Sequence, residues 1–222
     1  MELSNRSDDI SIDFRKYAFI DDETNSLKSK VSTSPLKSGG ANFTTHVLIE
    51  ESSSKILYKP STGVALFNFA FLAAGLGVLF FGLYPLLNNG FDFAEIEWFL
   101  LLFGLIFATA GGLMFYFFYM PRVFDKQLGI YYKAYKIDVN TIKKDTSKNY
   151  IPLKSIVAIQ IIGEHVKSDK GSYKSFELNL VLKDATRKNI IDHGNLKAII
   201  IDAEILSQFL NIPIWHAGSI ED

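Results

Sequence analysis

Two apolar stretches decide the fold of this chain: "VALFNFAFLAAGLGVLFFGLYPLL" at residues 64–87 and "WFLLLFGLIFATAGGLMFYFFYM" at residues 98–120. Neither stretch contains a charged residue. A helix rises ~1.5 Å per residue, so about 20 residues cross the ~30 Å hydrocarbon core of a bilayer. Each stretch is therefore predicted to form a membrane-spanning helix. The short polar segment 88–97 between them predicts a transmembrane hairpin over residues 62–120 with an outer loop.

Basic residues indicate the orientation of this hairpin. Lys55 and Lys59 precede the first span, Arg122 and Lys126 follow the second, and the connecting loop has no Lys or Arg. Basic residues near the ends of spans resist translocation. Both chain termini are therefore expected in the cytoplasm.

Small residues predict how the two spans pack. Gly104, Ala108 and Gly112 recur at every fourth position of the second span. The first span has a similar series: Ala70, Ala73, Ala74 and Gly77. Small residues let helix backbones approach closely in lipid, so these faces are expected to pack within the hairpin, with a homodimer as the alternative. The spans carry no acidic or basic residue and no His, which argues against a pore, a proton relay or a transporter.

The remaining sequence predicts a cytoplasmic β domain. Residues 1–40 are polar and are expected to be disordered or loosely attached. Residues 41–61 predict a β-hairpin that lies against the membrane face or pairs with the C-terminal domain. Within residues 121–222, alternating apolar positions at 176–182 predict a half-buried strand, and residues 195–210 have the period of an amphipathic helix with Asn195 as its N-cap. The expected fold class is an α+β membrane protein with antiparallel strands closed by a C-terminal helix.

The order of these elements resembles that of bacterial pleckstrin-homology-like membrane proteins. The segments that carry the resemblance are "RVFDKQLGIYYKAYK", "IPLKSIVAIQ", "SFELNLVLKDATRKNII" and "LKAIIIDAEILSQFL". Four further segments are similar to an uncharacterised proteobacterial family of two-span membrane proteins: "GGANFTTHVLIE", "ELNLVL", "DHGNLKAI" and "FLNIPIW". The resemblance implies a pleckstrin-homology-like domain and location in the bacterial inner membrane. It implies no catalytic residues.

Composition and motifs argue against several classes of function. The chain has no Cys and a formal net charge of -1, which excludes a cysteine-ligated metal site and argues against a strongly basic nucleic-acid binder. The four His residues are scattered, so no metal or other cofactor is expected. Asp192 and His193 are either a general base with its orienting partner or residues of a turn before a helix. Without a nucleophile motif or a phosphate-binding glycine loop, no enzymatic activity is expected.

Two basic segments are the candidates for partner or headgroup contact. Lys167, Lys170 and Lys174 lie between two predicted strands, and Lys143 and Lys144 form a second cluster. Each cluster is either a solvated loop or a contact for anionic lipid headgroups. With Arg122 and Lys126 they would make one membrane-facing basic surface if the fold brings them together.

The leading functional hypothesis is an inner-membrane scaffold whose cytoplasmic domain binds another protein, and which also contacts membrane lipid. The alternative is an immunity protein that protects the cell from a secreted antibacterial toxin. A toxin or secretion gene immediately upstream would favour the second hypothesis.

Overall fold

The computed structural model of the protein describes residues 26–88, 97–137, 150–168 and 171–217. The first half of the described chain contains β1 (His46–Ser52), β2 (Lys55–Pro60), α1 (Thr62–Asn88), α2 (Trp98–Tyr119), β3 (Arg122–Asp125) and β4 (Ile130–Lys133). The second half contains β5 (Tyr150–Pro152), a 3₁₀ turn (Leu153–Ser155), β6 (Ile156–Ser168), β7 (Gly171–Leu182), β8 (Arg187–His193), α3 (Leu196–Leu210) and β9 (Ile214–Ala217). The fold class is α+β.

The helices α1 and α2 have the length and composition needed to cross a membrane, over Thr62–Leu86 and Trp98–Tyr119. Most of their large apolar side chains are exposed on the outside of the pair. A lipid environment would cover this surface, whereas the same surface in water would be unfavourable.

Close backbone contact joins α1 to α2. A Cβ atom on Gly75 of α1 would lie 2.2 Å from the backbone nitrogen of Ala108 in α2, so only glycine fits there. Gly104 and Gly111 of α2 also lie against the α1 backbone, whereas a Cβ on Gly112 would meet nothing within 4 Å. The contact series is therefore Gly104, Ala108 and Gly111, and the assignment of Gly112 to it is corrected. The seven residues from Gly104 to Gly111 almost complete two helical turns, so both glycines lie on one face. The eight residues from Gly104 to Gly112 exceed two turns by about 80°, so Gly112 lies off that face.

The small residues singled out in the first span also lie off this contact. Ala70, Ala73 and Ala74 are exposed, and Gly77 has open space around it. Gly75 and Gly82 are the buried glycines of α1. The face of α1 that contacts α2 therefore contains Gly75 and Gly82, which are seven residues apart.

The first sheet has the strand order β1-β2-β3-β4-β5 and is antiparallel throughout. Strand β2 enters α1 and strand β3 leaves α2, and the two strands pair with Leu57 opposite Val123. The helical hairpin is thus an insertion between neighbouring strands of one sheet. Residues 41–61 and the segment after Pro121 share this sheet, so they do not form separate units.

The second sheet has the order β8-β7-β6-β9, in which β9 runs parallel to β6 and the other pairs are antiparallel. Both sheets and α3 contribute to one hydrophobic core, which includes Phe124, Ile161 and Leu206. Asn195 caps α3 by accepting a hydrogen bond from the Ala198 N–H, as the sequence predicts. Burial of apolar area from three layers in one core fixes the position of the sheets relative to each other.

Residues 32–40, here called the N-terminal strap, lie along the second sheet. The carboxylate of Glu177 accepts hydrogen bonds from the backbone N–H groups of Leu36, at 2.9 Å, and Lys37, at 3.0 Å. Other side chains that bind the strap backbone are those of Gln160, Glu164, Tyr173 and Arg187. Residues 32–40 are therefore attached to the sheet, because side chains distant in sequence form hydrogen bonds with their backbone. This corrects the expectation of a loosely attached segment for these residues. Residues 1–25 lie outside the described residues.

Candidate functional site

A cleft of about 420 Å³ opens between the two sheets beside the N-terminal strap. We call it the basic cleft, and its lining residues are Leu36, Lys37, Arg122, Tyr131, Lys133, Lys188, Asn189, Ile190 and Asp192. Four of these side chains are cationic and one is a carboxyl group. The basic cleft therefore concentrates positive charge.

Four separate elements supply the four cations, one each. Arg122 begins β3 and lies directly opposite Lys133 of β4 in the ladder register. Lys188 belongs to β8, which is an edge strand of the second sheet. Lys37 comes from the strap and is placed there by the Glu177 hydrogen bond to its backbone N–H. Like charges directly opposite each other on neighbouring strands are destabilising, so an anion in the cleft would relieve a cost built into the fold.

Arg122 has a neutral partner in place of a carboxylate. Within the described residues its guanidinium forms no ion pair and donates a hydrogen bond to Nε2 of His46. The other ring nitrogen, Nδ1, lies 2.9 Å from Oγ1 of Thr45, whose hydroxyl donates to the backbone oxygen of Asp192. Because Nε2 lies near both a donor, Arg122, and an acceptor, the Phe118 backbone oxygen at 3.2 Å, the contacts of the ring fit either tautomer.

Burial, together with the neighbouring Arg122 charge, lowers the pKa of His46 from 6.5 to about 3. The imidazole is therefore neutral near pH 7 and leaves the charge of Arg122 uncompensated. A guanidinium has five N–H donors in a planar fork suited to carboxylate or phosphate oxygens. Arg122 is thus oriented by His46 while its charge remains available to a ligand.

The lysines of the basic cleft affect one another. Partial burial and then the charges of Arg122, Lys188 and Lys37 lower the pKa of Lys133. Asp192, the one carboxyl group of the cleft, compensates this positive charge only weakly. Burial raises the pKa of Asp192, whereas the hydrogen bond from Asn189 lowers it. An anion bound among these lysines would favour their charged forms.

Asp192 and His193 do not form the acid–base pair considered from the sequence. His193 is fully buried, and its Nδ1 accepts a hydrogen bond from the backbone N–H of Thr45. Its Nε2 lies 3.6 Å from Oδ2 of Asp202, on α3, and the Asp192 carboxylate binds Asn189 instead. The side chain of His193 therefore links the chain just before β1, β8 and α3 inside the core.

The basic residues singled out from sequence lie elsewhere. Lys167 and Lys174 are near the tip of the β6–β7 hairpin, where Ser168 pairs with Gly171, and Lys174 lines a separate pocket of about 170 Å³. Lys170, Lys143 and Lys144 lie outside the described residues. Lys126 is 4.2 Å above the Phe209 ring at the far end of β3. Arg122 therefore shares its site with neither Lys126 nor Lys174.

Sequence reasoning missed Lys37, Lys133 and Lys188 as one site. No local spacing connects them, because each lies on a different strand or on the strap. The detectable signal was the pair of basic residues, Arg122 and Lys133, on two strands joined by the tight turn that ends in Gly129.

Comparison with known proteins adds no family assignment: no protein-family model, curated protein or solved structure matches the chain. Within the described ranges, no group of three metal-ligating side chains is placed to hold an ion. The donor set of the basic cleft is instead suited to an anion, because Lys and Arg offer only N–H donors and positive charge.

Proposed function

We propose that this chain is a membrane-anchored binding protein without catalytic activity, whose cytoplasmic domain recognises a phosphate-bearing anion in the basic cleft. The observation that carries the proposal is the convergence of four cations, from four elements, around one cleft with a single carboxyl group. Phosphate is the ligand class that best fits a guanidinium fork surrounded by ammonium groups.

The anchor of this proposal is the helical hairpin, inserted in the inner membrane of a bacterium with both termini in the cytoplasm. The absence of Lys and Arg from residues 88–97, against their presence at the opposite ends of both spans, supports this orientation. Two sheets around a shared core with α3 support a pleckstrin-homology-like domain. The hypothesis of a scaffold for a protein partner stays a prediction from sequence, and so does the hypothesis of an immunity protein. No contact of the described residues favours either hypothesis.

Binding of pyrophosphate to the detergent-solubilised full chain tests the proposal by isothermal titration calorimetry. The test variant is Lys133→Gln with Lys188→Gln. The matched control, Lys183→Gln with Lys197→Gln, removes the same charge from exposed positions outside the cleft.

Each exposed cation paired with an anion contributes about 1 kcal/mol, so the test variant should bind pyrophosphate roughly 30-fold more weakly. The control variant should bind as tightly as the unmodified chain. Binding should also weaken as salt is added, because exposed charges are screened. Equal affinity in the test and control variants would show that pyrophosphate binds somewhere other than the basic cleft.

A further inference from the structure

The basic cleft lies at the end of the cytoplasmic domain that meets the membrane helices. Arg122 follows the last residue of α2, Tyr119, after only two intervening residues. Just beyond β4, the hydroxyl of Tyr135 donates a 2.6 Å hydrogen bond to the backbone oxygen of Tyr116 in α2. The chain that carries Lys133 therefore returns to the last turn of the helix that leaves the bilayer.

An apolar pocket of about 310 Å³ lies beside the same helix ends. Its lining residues are Phe43, Gly63, Val64, Phe67, Asn68 and Phe118, from the first turns of α1, the last turn of α2 and the chain before β1. His46 connects the two cavities, because its ring packs 6.0 Å from that of Phe118 and accepts from Arg122 of the basic cleft.

We propose that the phosphate in the basic cleft belongs to the headgroup of an anionic phospholipid from the bilayer that α1 and α2 span. One acyl chain of that lipid occupies the apolar pocket. The inference rests on the proposed function and adds the source of the anion. A lipid fits better than a soluble phosphate because a polar, cationic cavity and an apolar cavity are neighbours at the membrane end of the domain.

Two properties of the site favour retention of such a lipid. Each basic residue near an anionic membrane surface contributes about 1 kcal/mol to attraction. An acyl chain in the apolar pocket would remain in a hydrocarbon environment, so its entry requires no exposure to water. The protein should therefore select anionic over zwitterionic phospholipid through the headgroup alone.

The experiment uses the full chain purified in mild detergent and offered an equimolar mixture of phosphatidylglycerol and phosphatidylcholine. Native mass spectrometry measures the lipid that remains bound. The unmodified chain should retain phosphatidylglycerol preferentially, and Lys133→Gln with Lys188→Gln should reduce that preference about 30-fold. The control variant, Lys183→Gln with Lys197→Gln, should retain it.

A second variant tests the acyl-chain pocket. A Cβ on Gly63 would meet only the Ser61 hydroxyl, at 3.9 Å, so Gly63→Leu adds a side chain at the pocket without a backbone clash. This variant should lower retention of both lipids while pyrophosphate affinity is unchanged. Gly77→Leu, which faces open space elsewhere on α1, is its control.

The outcomes separate the two proposals. If pyrophosphate binding depends on the cleft lysines but phosphatidylglycerol retention does not, the ligand is a soluble phosphate and the lipid assignment is wrong. If neither probe responds to the lysines, both proposals fail. Equal retention of the two lipids by the unmodified chain also overturns the lipid assignment.

Discussion

The attachment of the N-terminal strap by Glu177 gives the sharpest structural prediction. Its Oε1 accepts from the Lys37 N–H, and its Oε2 accepts from the Leu36 N–H and from the Asn179 side chain. Glu177 is 2% exposed, so water does not replace a lost bond easily. Glu177→Gln keeps one acceptor oxygen and converts the other into a donor.

The glutamine amide should adopt the orientation that keeps the larger number of hydrogen bonds to its oxygen. An oxygen at the Oε2 position keeps the hydrogen bonds from Leu36 and Asn179, whereas the opposite orientation keeps only the bond from Lys37. The Lys37 N–H therefore faces another donor in Glu177→Gln. Loss of a hydrogen bond to a charged group costs about 1.5–3 kcal/mol, which corresponds to a 10- to 100-fold increase in local opening.

Amide hydrogen exchange measures this effect in the detergent-solubilised chain. The Lys37 amide should exchange about 10- to 100-fold faster in Glu177→Gln, with a smaller change at Leu36. Glu164→Gln is the matched control, because among the described residues its two oxygens receive only the Gly39 N–H, at 3.3 and 3.2 Å, and either orientation of the amide is tolerated. Unchanged exchange at Lys37 would refute the assigned role of Glu177.

The same substitution has a consequence for the basic cleft. Lys37 reaches the cleft because its backbone is bound to Glu177. Release of that residue should remove one cation from the site and weaken pyrophosphate binding about fivefold, the effect of about 1 kcal/mol. Calorimetry on Glu177→Gln and Glu164→Gln checks this prediction, and equal affinities would contradict it.

Three further predictions concern packing, pH and orientation. Gly75→Ala should destabilise the helical hairpin by about 1–3 kcal/mol through overpacking, whereas Gly77→Ala should not, as measured by SDS titration with dyes on introduced cysteines. The pKa of His46 is about 3 in the fold and 6.5 when unperturbed, so only the unfolded state binds a proton there as the pH falls between these values. The free energy of unfolding should therefore decrease by about 3 kcal/mol by pH 4.5. His46→Gln should abolish this decrease in thermal denaturation of the detergent-solubilised chain. In intact cells a membrane-impermeant maleimide should label Asp92→Cys but not Ser54→Cys, and the reverse result would invert the proposed topology.

Local sequence properties explain which parts of the fold could be predicted. The two long apolar helices and the Asn195 cap depend on composition or on residues close together in the chain, so their patterns are visible in the sequence. Trp215, on β9, is 5% exposed. The parallel pairing of β9, which carries this residue, was not predicted, because pairing with β6 depends on a contact between distant segments.

The candidate site shows the limit of such patterns. The pairing of β2 with β3 across the inserted hairpin places Arg122 at the end of the sheet that adjoins α1 and α2, and only then do Lys188 and Lys37 approach it. Sequence reasoning favoured runs of lysine, such as the one ending at Lys174. The structure instead places together single lysines that no run contains.

The pKa of Lys133 reports both the convergence of the cations and the arrival of an anion in the basic cleft. Nuclear magnetic resonance titration of its side chain, assigned with Lys133→Arg, gives this value in the full chain. Without ligand the pKa should lie below the ordinary 10.5, because burial and three neighbouring cations disfavour the charged form. Added pyrophosphate or phosphatidylglycerol should raise it. A pKa at or above 10.5 without ligand, or a value that neither anion changes, would contradict an anion site in the basic cleft.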